Sequence, residues 1–176
     1  MRKTVTSLVA FCFLASAWSA SAAALNIVAL GASNTAGRGQ GNHPGGVDRS
    51  QAYPAQLEAM LRATGIDAHV RNAGVPGDTT AWILRRMNSS VPNGTQIVIL
   101  QTGGNDARRG VSSGEAAANT ATMTGKLEAR GIKVVLLDKL DAPASTRDPD
   151  GEHFNAQGHA AIAASLLPHV IAAAGK

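Results

Sequence analysis

Near the carboxyl end of a chain of 176 residues, Asp150-Gly151-Glu152-His153 sets a carboxylate three residues before an imidazole, across a glycine. A carboxylate so placed can turn back on the ring's Nδ1, fix its tautomer and leave Nε2 free as a general base. Ser33 could supply the proton such a base takes, because Gly31-Ala32-Ser33 presents a hydroxyl directly after the apolar run Leu25-Asn26-Ile27-Val28-Ala29-Leu30. Two more polar groups follow apolar runs: Asn72 with Gly74, and Asn105 with Asp106. Singly, each has an ordinary role. A serine after a strand is a turn or cap residue, Asn105 and Asp106 are turn formers, and Asp150 and His153 fit a solvated surface. Whether they act together depends on the elements that carry them.

Those elements alternate. Leu25 to Leu30 has the composition of a strand buried on both faces. Thr35 to Ser50 is rich in glycine and aperiodic, which predicts a long surface loop; Gly37-Arg38-Gly39-Gln40-Gly41 lacks the ending of a phosphate-binding loop. Tyr53, Leu57, Met60 and Leu61 recur at helical spacing, with Pro54 in the first turn and Gly65 as the stop. A second strand is predicted from Ile66 to Asn72, then a helix capped by Asp78 with Thr80, Ile83, Leu84 and Met87 on its apolar face. Gln96 to Gln101 reads as a third strand. Ser112 and Glu115 have capping-box spacing before a helix bearing Ala116, Thr120, Met123 and Leu127, and Ile132 to Leu137 reads as a fourth strand. Asn155 can cap a last helix, bent or ended by Pro168. This alternation predicts a parallel sheet in an α/β fold, with all strand ends, and so the three polar groups that follow strands, on one edge, where Asp150-Gly151-Glu152-His153 would be the fourth piece.

Bulk composition narrows the rest. Residues 1–24 read as a secretory signal, with Arg2 and Lys3, an apolar run from Leu8 to Ala17 and small residues up to Ala24. That run is shorter than the roughly 20 residues a membrane span needs, so a soluble domain over 25–176 without a stable membrane anchor is expected, secreted or periplasmic. Without Arg2 and Lys3, 16 basic residues become 14 against 12 acidic ones, too slight an excess to argue for nucleic acid. The single cysteine, Cys12, lies in the signal, which leaves neither a disulfide nor a thiolate in the domain. His43, His153 and His159 form no metal-ligand motif, so neither a metal nor a cofactor is expected.

In order along the chain, Gly31-Ala32-Ser33, Asn72-Ala73-Gly74-Val75-Pro76-Gly77-Asp78-Thr79-Thr80, Gly103-Gly104-Asn105-Asp106 and Asp150-Gly151-Glu152-His153 resemble the blocks of the SGNH hydrolase (GDSL esterase/lipase) family. The resemblance implies a three-layer α/β/α, flavodoxin-like fold with a mostly parallel sheet. It implies a serine hydrolase of carboxylic or thio esters acting on small or lipid-like acyl substrates, with Ser33 as nucleophile, His153 as base and Asp150 as its partner. The backbone N–H groups of Ser33 and Gly74 and the side-chain amide of Asn105 would form the oxyanion hole. Two positions depart from the family pattern. Ala32 stands where an aspartate is usual. Only 138–149 separates the fourth strand from Asp150, too short for the usual further helix and fifth strand, so four strands are expected. Reach survives the shortening: two strand spacings are about 10 Å, and twelve extended residues span up to roughly 40 Å.

Losing the fifth strand would leave Ile132 to Leu137 as an apolar edge, covered by Ala142–Arg147 or paired with a second chain as a homodimer. The rival of another class is a decayed, ligand-binding relative of such hydrolases; within the enzyme class, a carbohydrate O-acetylesterase is the alternative. A general base at His153 predicts a rate that rises with pH as the imidazole loses its proton.

Overall fold

The computed structural model describes residues 23–41, 43–137 and 144–176. The signal-like stretch therefore lies almost wholly outside the described residues, as does 138–143. Four strands, β1 (Leu25–Gly31), β4 (Ala68–Gly74), β5 (Ile97–Leu100) and β6 (Lys133–Leu136), form one parallel sheet in the order β4-β1-β5-β6. Helices α2 (Tyr53–Ala63), α3 (Thr80–Ser90) and α5 (Ser113–Glu128) connect successive strands, and α6 (Ala156–Ala173) closes the chain.

The apolar run of β1 explains the layering. Side chains alternate across a strand, so Ile27 and Ala29 pack against Tyr53, Leu57 and Leu61 of α2 and Ile162, Leu166 and Val170 of α6. Val28 and Leu30 pack on the other face, with Ile83 and Met87 of α3 and Met123 and Leu127 of α5. Burial on both faces is why β1 and β5 carry continuous apolar residues, and the result is a three-layer α/β/α sandwich.

Several boundaries differ from the sequence expectation. β4 begins at Ala68 and ends at Gly74, opposite Gly31 of β1. The expected loop from Thr35 to Ser50 instead holds α1 (Ser33–Ala36) and an antiparallel hairpin of β2 (Arg38–Gln40) and β3 (His43–Gly46). Strands this short show no periodicity, and the hairpin is tied down from afar, where the Gly46 N–H donates to Asp148 Oδ2 (2.5 Å). Thr79, not Asp78, caps α3; Asp78 instead accepts from Arg86 Nε at 2.6 Å. Ser112 and Asn155 cap α5 and α6 as expected. Pro168 is accommodated inside α6 without ending it. β6 is an edge of the sheet, with Leu136 48% exposed. Of the stretch expected to cover that edge, Ala144–Thr146 forms a 3₁₀ turn contacting α6, and Arg147 pairs with Phe154.

Candidate active site

At the carboxyl end of β1, neighbouring side chains leave no room for one at position 31. A Cβ on Gly31 would collide with Thr35 Oγ1 and with Gln101, and Ala32 donates its N–H to Gln101 Oε1 (3.0 Å). This turn sets Ser33 as the first residue of α1, where its N–H donates to nothing among the described residues. Gln101 thus fixes the chain just before the serine.

The Asp-x-x-His segment closes on itself. The Asp148 N–H donates to the His153 carbonyl (2.8 Å), the Gly151 N–H donates to the Asp148 carbonyl (2.9 Å), and Gly151 takes φ +71°, the left-handed region open to glycine. Asp150 Oδ2 lies 2.6 Å from His153 Nδ1, while Oδ1 accepts the N–H groups of Glu152 and His153, each at 3.0 Å. Burial works against the charged carboxylate, but these bonds outweigh it and hold Asp150 well below the usual carboxylate range. With Nδ1 engaged and the His153 side chain only 5% exposed, Nε2 is the nitrogen left for chemistry. The β2–β3 hairpin lies over this pair: a Cβ on Gly45 would fall on the Asp150 carboxylate.

Ser33, Gly77, Asn105, Arg108, Glu152 and His153 line one cavity of about 370 Å³. A smaller recess of about 150 Å³ opens beside it, shares Ser33, Asn105 and Arg108, and is bounded by Thr102, Gly103 and Leu137. Asn105 reaches the cavity because Gly103 and Gly104 both take positive φ (+86° and +78°), turning the chain sharply out of β5 into α4 (Asn105–Arg108). Its Nδ2 donates to the Asp78 carbonyl at 2.8 Å, which leaves one N–H of the amide. Asp106 serves the framework: its carboxylate accepts the N–H of Thr80 at 3.2 Å and its hydroxyl at 2.5 Å, pinning the start of α3.

Gly74 is placed differently from the sequence expectation. Its N–H donates to Asn72 Oδ1 (3.0 Å), Asn72 Nδ2 donates to the Thr35 carbonyl (2.8 Å), and Gly74 is not among the residues lining the cavity. A Cβ on Gly74 would collide with the Ala36 backbone, so glycine there lets α1 pack on β4. Gly77, three residues on, lines the cavity. It takes φ +83° in the turn closed by the Asp78 N–H to the Val75 carbonyl (3.3 Å), and its own N–H donates to nothing among the described residues. The signal for Gly77 was present in the sequence as Pro76-Gly77, a pair that favours such a turn.

The model of the GDSL-like Lipase/Acylhydrolase family matches residues 29–150. The chain belongs to this family. The match takes in Ser33, Asn105 and Asp150 and ends before His153. Esterase TesA of Pseudomonas aeruginosa is 38% identical over 93 residues, which is 52% of this chain and 46% of that protein. The crystal structure of AlinE4, an SGNH-hydrolase family esterase, is 39% identical with a TM-score of 0.57, over 66% of this chain and 59% of the other. This GDSL-like chain thus spans about half the length of the curated relative it matches. The crystal structure of TesA, at 23% identity and a TM-score of 0.74, covers 84% of this chain and 99% of its own, a likeness of fold.

Proposed function

We propose that this member of the GDSL-like family is a secreted ester hydrolase acting on small carboxylic or thio esters. Ser33 Oγ attacks the acyl carbonyl carbon and its proton passes to His153 Nε2. Asp150 holds the imidazole in the required tautomer and stabilises the imidazolium that forms. Collapse of the tetrahedral intermediate breaks the ester bond, and His153 returns the proton to the leaving oxygen or sulfur. Water then attacks the acyl-serine with the same base assisting. The Ser33 N–H and the remaining N–H of Asn105 are donors for the oxyanion. Gly77 is the third, in place of Gly74, whose N–H would first have to leave Asn72.

The observation that carries this reading is the tight Asp150–His153 pair, its ring facing the cavity that Ser33 and Asn105 also line. A cavity of about 370 Å³ is at the small end of the range for small-molecule sites, which supports a compact substrate. Hydrolysis of p-nitrophenyl acetate by the protein beside Ser33→Ala tests the proposal. A wild-type rate at least about 10³-fold above the variant is expected; equal rates would mean a binding protein that has lost catalysis. Export and cleavage after Ala22 or Ala24 are read from the protein's N-terminus after expression with a secretion-competent host.

A further inference from the structure

Asn105 can serve an oxyanion only if its carboxamide points nitrogen-first into the cavity, and a primary amide can flip. Two contacts specify the orientation. The Asp78 carbonyl accepts from Nδ2 (2.8 Å), and Arg108 Nη2 donates to Oδ1 (2.8 Å). Only the second comes from a cation, and a charged donor on Oδ1 draws electron density from the amide and strengthens its remaining N–H as a donor. The guanidinium is itself held: Arg108 Nη1 donates to Glu152 Oε1 at 2.6 Å, within the segment that carries Asp150 and His153. Glu152 is fixed in turn through its backbone, its N–H on Asp150 Oδ1 (3.0 Å) and its carbonyl accepting from Arg147 Nη1 (2.9 Å). The Arg108 and Glu152 side chains are 52% and 31% exposed, so the pair itself adds little stability. Its geometry points to another use.

We propose that Arg108 is a positioning residue for the reaction: it sets and polarises the Asn105 carboxamide, with Glu152 holding the guanidinium in place. This rests on the assignment of Asn105 as an oxyanion donor. It predicts a specific coupling, because Arg108 then acts only through Asn105.

A double-mutant cycle in p-nitrophenyl acetate hydrolysis reads that coupling. Arg108→Met is expected to lower kcat about tenfold with KM within about twofold of wild type, and to do nothing further in an Asn105→Ala background. Arg108→Lys, which keeps the charge but offers no planar fork, is expected to fall between Arg108→Met and wild type. Glu152→Gln is expected to lower kcat less than Arg108→Met does. Thermal unfolding of each variant separates loss of fold, and Arg108→Lys serves the same cycle if Arg108→Met does not fold. An unchanged kcat in Arg108→Met, an effect confined to KM, or a loss that multiplies with that of Asn105→Ala would overturn the proposal. A wild-type protein no faster than Ser33→Ala would instead overturn the hydrolase reading, and this inference with it.

Discussion

At the level of single residues, hydrogen-bond partners divide the two buried histidines. His153 keeps a carboxylate partner, Asp150; the buried His159 accepts the Tyr53 N–H on Nδ1 (3.2 Å), and its Nε2 is enclosed near the Gly37 backbone. Burial pulls the His159 ring from 6.5 down to about 4. The folded state therefore disfavours the proton that the unfolded chain takes up at higher pH. Stability from this group is full above about pH 6.5, is lost as pH falls towards 4, and changes no further below that. Urea unfolding across this window is expected to show a slope shallower by about one proton in His159→Gln than in wild type. Asp150, held far down by its hydrogen bonds, stays charged throughout this window and adds no slope of its own.

Gly74 and Gly77 show why the lining of the cavity could be only partly read from sequence. Both glycines sit in one short block, and which of them faces the cavity depends on how α1 packs on β4. Gly74→Ala is expected to destabilise by about 1–3 kcal/mol through collision with the Ala36 backbone, measured by chemical denaturation. The Asp150–His153 pair was legible because it is local and closes across one glycine. Gln101 on the Ala32 N–H and Arg108 on Asn105 are contacts between side chains and neighbours that no spacing rule announces.

Among the elements, the position of α3 matters most to the rim of the site. Arg86 binds Asp78 (2.6 Å), the Ala73 carbonyl (2.9 Å) and the Gly31 carbonyl (2.8 Å), so one side chain fastens α3 to the ends of both β1 and β4. Arg86→Ala is expected to cost at least the ~1.5–3 kcal/mol of one charge-assisted bond, read as a lowered urea midpoint. The strands and long helices were legible because double-sided burial writes apolar runs and helical burial writes a 3.6-residue period. The β2–β3 hairpin was not. Its strands are three and four residues long, and Asp148, more than a hundred positions away, helps to hold it.

At the scale of the molecule, the parallel order β4-β1-β5-β6 brings the ends of β1 and β5 together beneath the Asp-x-x-His segment. That the strand ends share one edge followed from alternation; which strands are neighbours and where the Asp-x-x-His segment sits did not. Among the described residues β6 is an edge strand with Leu136 exposed, and pairing of two chains there is our proposal for it. Sedimentation equilibrium is expected to show a dimer that Leu136→Lys dissociates; a wild-type monomer at all concentrations would contradict the pairing.

The account turns on Ser33 being activated by His153 across the rim of the sheet. The most direct measurement is mass spectrometry of the protein after reaction with a fluorophosphonate. The account predicts one phosphonyl adduct on the peptide containing Ser33, formed in wild type and suppressed in His153→Ala. No adduct at Ser33, or one that forms equally fast without the imidazole, would contradict it.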